Sequence, residues 1–71
     1  MDTWTHMEID GDRLPSLRKG KLWLIGDLAK KSGVRRNLTS TYELGKARAY
    51  PDTIRKLAAA LDVDPSELVR R

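Results

Sequence analysis

Gly33 stands between two amphipathic stretches that leave almost no chain between them. Upstream, Ile25 to Ser32 puts Ile25, Leu28 and Ala29 on one side of a helix and Lys30 and Lys31 on the other. A glycine after Ser32 stops such a helix, because glycine takes the left-handed backbone without a steric penalty. Downstream, Arg36 to Leu44 spaces Leu38, Thr39 and Tyr42 for an inner face and ends at Gly45. Two helices of about eight residues joined through Ser32, Gly33 and Val34 must meet at a steep angle. Leu28 and Val34 then anchor the turn in a core, and Ala29 is small enough to let the helices approach. The N-terminal part of the second helix of the pair is left projecting outward.

The rest of the chain supplies helices to pack against that pair. Asp12 is placed to cap a first helix in which Leu14, Leu17 and Lys21 with Leu22 lie near one face. Pro15 then falls at the third helical position, where its missing N–H would have had no intrahelical partner. After a loop containing Lys46, Arg48 and Tyr50, Pro51 opens a fourth helix with an apolar stripe of Ile54, Leu57, Ala58 and Leu61. Asp64 with Pro65 and Glu67 reads as a capping-box variant opening a short fifth helix, whose Leu68 and Val69 fold back onto the fourth. Thr3 to Ile9 alternates weakly, so residues 1–10 are expected to be a frayed segment or a short strand, and residues 11–71 one all-α, five-helix domain without a sheet of consequence. Its expected core is Leu14, Leu17, Trp23, Leu28, Ala29, Val34, Tyr42, Ile54, Leu57, Ala58, Leu61 and Leu68.

Composition narrows the function classes. The chain has 71 residues, no cysteine and a single histidine, His6, which leaves no thiolate nucleophile and neither a cysteine nor an all-histidine metal site. No cofactor or metal is expected. The longest unbroken apolar run, Leu22 to Ile25, is far too short to span a bilayer, and no signal peptide is seen at the N-terminus, so a cytoplasmic, nucleoid-associated protein is expected. One domain of this size lacks the volume to wall off a deep catalytic cavity, and its carboxylates sit on caps and exposed faces instead of converging, so no enzyme is expected. Charge is uneven: residues 1–12 carry −4, residues 13–48 carry +8, and residues 49–71 balance.

A projecting helix that bears Arg35, Arg36 and Asn37 fits a DNA major groove, because arginine grips guanine O6 and N7 and asparagine grips adenine N6 and N7. Arg36, Asn37 and Thr41 lie a turn apart along its outward side and are expected at base edges, with Arg35 and Ser40 at the groove margin. Lys30, Lys46 and Arg48 are expected to reach phosphate.

Gly11 to Arg70 resembles the Cro/repressor, or XRE, family of helix-turn-helix domains. The likeness rests on Leu14-x-x-Leu17-Arg18, Asp27-Leu28-Ala29, Ser32-Gly33-Val34, Tyr42-Glu43-x-Gly45, Pro51, and the run from Leu57-Ala58 to Glu67-Leu68. It implies a five-helix fold whose second and third helices form the DNA-reading pair. Leu24 and Ile25 stand where the family carries a small polar residue and a glutamine that touch the DNA, so that contact is absent here. Thr39 stands where Ile or Val is usual, and its hydroxyl must find a partner such as a backbone carbonyl one turn earlier. Leu22 replaces a common glycine, and Pro15 is unusual. The stretch Ile25 to Val34 with Tyr42-Glu43 also resembles the opening of MerR-type winged helices, which continue into a two-stranded wing and a long coiled coil.

The function expected is a sequence-specific, repressor-like transcriptional regulator of bacterial or phage type with double-stranded DNA as partner. The alternatives are a protein-interaction module such as an antitoxin, with Trp4 and the N-terminal segment facing the partner, and an architectural DNA-binding accessory protein. A weak homodimer, or a monomer that pairs on DNA, is expected through Leu68 and Val69 or through Trp4, Met7 and Ile9. Trp23 reads as core filling, Trp4 and Tyr50 as core edge or partner contact, His6 as an exposed terminal residue, and Glu43 as a partner for a base such as Arg18.

Overall fold

The computed structural model describes residues 7–69. It runs β1 (Met7–Glu8), α1 (Arg13–Gly20), α2 (Ile25–Ser32), α3 (Arg36–Glu43), β2 (Arg48–Ala49) and α4 (Pro51–Leu61), and ends in a 3-10 turn at Pro65–Leu68. Helices dominate, as the periodicity predicts. Among the described residues, no helix is long and apolar enough to cross a membrane.

The fifth helix is the first correction. It is a single 3-10 turn, closed by i to i+3 bonds such as Glu67 N–H to the Asp64 carbonyl at 2.9 Å. The Asp64 carboxylate accepts from the Ser66 N–H and hydroxyl at 2.9 and 2.8 Å, and these two bonds hold its pKa below the usual carboxylate value. Glu67 does not close a capping box; it pairs with Arg13 across the chain.

Helix α1 also departs from expectation at both ends. Asp12 caps nothing with its side chain, and the Asp10 carboxylate instead accepts from the Asp12 and Arg13 N–H groups at 3.1 and 3.2 Å. Either acid lies within reach, and a tight turn at Gly11 brings Asp10 round. At the far end α1 stops at Gly20, and Leu22, expected on its inner face, is 93% exposed with φ +62.

In the N-terminal segment the short-strand alternative is the one the described residues take. Met7–Glu8 pairs antiparallel with Arg48–Ala49, Ile9 bridges Val69, and the Asp10 N–H donates to the Leu68 carbonyl at 2.8 Å. Residues 7–10 therefore close the fold, and Ile9 and Ala49 join the core. Of the residues expected to pair two copies, Leu68 and Ile9 are buried and Val69 is half-buried, while Trp4, like Thr3, Thr5 and His6, lies outside the described residues.

Ten of the twelve expected core side chains are buried, and Leu17 and Trp23 pack partly buried against them. Helix α4 runs along the core with Ile54, Leu57, Ala58 and Leu61 inward. Leu38, expected on the inner face of α3, is 39% exposed; Thr39 and Tyr42 take that face alone. Burial pushes the Tyr42 hydroxyl above its ordinary pKa, partly offset by a hydrogen bond from Thr53. Folding therefore favours the protonated phenol. The stability this contributes is full below the unfolded value, about pH 10, and is lost as pH rises through the higher folded value. Tyr42→Phe should flatten the fall in urea midpoint above about pH 10.

Candidate nucleic-acid interface

The position of α3 follows from three local devices. Gly33 adopts φ +77 and ends α2, its N–H bonding the Ala29 carbonyl at 2.9 Å, while the Ser32 hydroxyl accepts from the Val34 N–H at 3.2 Å. The turn is thus closed by its own residues. At the other end, a Cβ on Gly11 would sit 2.8 Å from the Gly45 nitrogen, so the turn before α1 and the chain leaving α3 approach backbone to backbone. Between them lies a buried ion pair. Arg18 Nε donates to Glu43 Oε2 at 2.6 Å and Nη2 donates to Oε1 at 3.0 Å, while Nη1 donates to the Trp23 carbonyl at 2.6 Å. One guanidinium therefore ties α1, the α1–α2 turn and α3 together. Its hydrogen bond to Glu43 raises its pKa, against burial, which lowers it.

With Thr39 and Tyr42 inward, α3 presents the opposite face to solvent. Arg35, at its N-cap, and Arg36 and Asn37, in its first turn, are exposed, and Ser40 and Thr41 follow half-buried one turn on. The structure brings these five together. The Thr39 hydroxyl donates to the Arg35 carbonyl at 2.9 Å, the backbone partner expected of it. Thr41 donates to the Asn37 carbonyl at 2.9 Å, so what it offers a base edge is a methyl group and acceptor lone pairs.

The residues expected at phosphate are more dispersed. Lys30 is exposed in the last turn of α2, and Lys46 is exposed in the loop after α3. Arg48 is not in that loop but on β2, facing Glu8 at 3.6 Å. At the start of α2, Leu24 is 75% exposed and offers no acceptor, and the cap is supplied by Asp27, whose carboxylate accepts from the Leu24 N–H at 2.8 Å. This end of α2 is apolar, as the departures at Leu24 and Ile25 imply. Trp23 packs against the core with the ammonium groups of Lys21 and Lys31 at 5.5 and 5.2 Å from its ring centroid. Helical spacing marks Lys56 as exposed and nothing more, and it is the fold that sets it in one cleft with Arg35.

A family model described as helix-turn-helix matches residues 15–68. The chain belongs to the helix-turn-helix family. Helix-turn-helix proteins of this kind are DNA-binding regulators that set their second helix in the major groove, and α2 with α3 is that pair here. The match extends through α4, where a MerR-type chain would form its wing, so the repressor-type resemblance is the one that holds.

Two solved structures share this fold. The restriction-modification controller protein C.AhdI from Aeromonas hydrophila is 38% identical, with a TM-score of 0.77 over 80% of this chain and 86% of its own. A provisionally assigned DNA-binding protein from Bacteroides fragilis is 26% identical, with a TM-score of 0.73 over 90% of this chain and 98% of its own. A search of curated proteins finds no match.

Proposed function

We propose that this helix-turn-helix protein is a sequence-specific, repressor-like regulator of transcription, of bacterial or phage type, that reads the major groove with α3. The observation that carries the reading is the fixed helix itself. Arg36, Asn37 and Thr41 share its outward side while the buried Arg18–Glu43 pair anchors its other end. Such preorganisation suits base recognition, which tolerates little wobble in the reading element. Arg36 and Asn37 supply bidentate donors for guanine and adenine, Arg35 and Ser40 stand at the groove margin, and Lys30, Lys46 and Arg48 reach phosphate. For Arg48 this means leaving Glu8, an exposed pair of small worth. The protein acts without catalysis, in the cytoplasm at the nucleoid. Likeness to a restriction-modification controller supports a regulatory task, with a restriction-modification gene set as its target.

Arg36→Ala tests the reading directly. It should cost roughly 1–3 kcal/mol of binding to the preferred duplex and relax the preferred base at one position. Titration of the variant against duplexes carrying each base in turn reads this out. Equal loss on every sequence would make Arg36 a phosphate contact and remove it from the base-reading set.

A further inference from the structure

We propose that the cleft between the α2–α3 turn and α4 seats a backbone phosphate of bound DNA, with Lys56 as its main counter-charge and Arg35 as its opposite wall. The proposal rests on the DNA-reading role of α3 and adds a residue to it that sets register.

The cleft has a volume of about 240 Å³ and is lined by Gly33, Val34, Arg35, Leu38, Thr53 and Lys56. No carboxylate lines it. Two cations facing one small open cleft repel each other unless an anion lies between them, and the volume is below that of a typical small-molecule site. Leu38, half-exposed against expectation, gives the cleft an apolar side that matches a deoxyribose next to a phosphate. Thr53 is engaged with the Tyr42 hydroxyl, and Lys56 and Arg35 supply the charge that faces the anion.

The neighbouring cation on α4 is engaged: Arg55 pairs with Asp52 at 2.9 Å, whereas among the described residues neither Lys56 nor Arg35 enters an ion pair. Position gives the site its use. Arg35 directly precedes Arg36 and Asn37, so a phosphate in this cleft lies beside the bases that those residues read. Lys56 stands on α4 next to the fully buried Leu57, which makes the contact a stop on a rigid element. Phosphate contacts of this kind fix register and orientation and carry no base information.

The test is a salt titration of duplex binding by the wild type, Lys56→Gln and the control Arg55→Gln. Both side chains are exposed, and circular dichroism confirms that both variants fold. Each phosphate neutralised contributes about 0.9 to the slope of log affinity against log salt. Lys56→Gln should lower that slope by about 0.9, so a rise from about 50 to about 200 mM salt weakens the wild type about 3.5-fold more than the variant. Affinity should fall by the same factor on every sequence, and Arg55→Gln should keep the wild-type slope. An unchanged slope in Lys56→Gln, an altered base preference, or an equal slope change in Arg55→Gln overturns the phosphate seat while leaving the reading of α3 intact. Absence of duplex binding by the wild type overturns both.

Discussion

Replacing Glu43 by Ala should leave the domain largely unfolded at room temperature. Arg18 and Glu43 have side chains only 9% and 7% exposed, and the two bonds between them are the main return for removing both charges from water. Truncating one partner strands the other. An unpaired buried charge costs about 3–5 kcal/mol. A single core in a chain this short supplies about the same, roughly 3–5 kcal/mol, so little net stability remains. Arg18 also holds the Trp23 carbonyl, so losing its geometry loosens the α1–α2 turn together with α3. Urea unfolding followed by far-UV circular dichroism measures the loss. Glu43→Gln, which keeps one acceptor, should lose less, and a Glu43→Ala midpoint equal to the wild type would show that the pair anchors nothing.

Leu57→Ala should be comparably severe for a different reason. Leu57 is fully buried in the middle of the α4 stripe, with Ile54, Ala58 and Leu61 as close-packed neighbours on the same face. Removing its isobutyl group forfeits the transfer free energy and leaves a cavity that four short helices cannot readily collapse, about 2–5 kcal/mol together. Leu57→Met keeps the volume and should cost less than about 1.5 kcal/mol. Thermal unfolding of the three proteins side by side separates cavity from chemistry, since only the alanine variant should shift by a large fraction of the total. Equal melting of the alanine and methionine variants would contradict the burial at this position.

What is legible in the sequence is whatever is written locally. Ile25 to Ser32 and its stop at Gly33 were legible because a 3.6-residue apolar period meets the one residue that accepts φ +77. Glu43 reads in the sequence as a structural partner for a nearby base such as Arg18, and that is the pair that forms. The pairing of strand Met7–Glu8 is not legible in this way, since its partner Arg48–Ala49 lies some forty residues away and two residues carry no period. Asp10 and Asp12 could each cap α1 by spacing, and only the path of the chain through Gly11 separates them. Leu22 follows the apolar spacing of α1, yet the helix stops at Gly20 and leaves it in solvent. Within the candidate site, Arg36, Asn37, Ser40 and Thr41 are readable as neighbours because one helix carries all four, with Arg35 at its N-cap. The placements of Arg48 on β2 and of Lys56 beside the α2–α3 turn are not legible in the sequence, because both depend on long-range packing.

The central claim is that α3 reads base sequence, and selection of binding sites from a pool of random duplexes tests it most directly. The wild type should enrich one short motif, and Arg36→Ala, selected in parallel, should enrich the same motif with one position relaxed. A two-fold symmetric motif would add that two copies bind together, and a single asymmetric site would add that one copy acts alone. A pool that binds without enrichment would contradict the claim and make the protein an architectural DNA binder. A pool that does not bind at all would move its function to a protein partner.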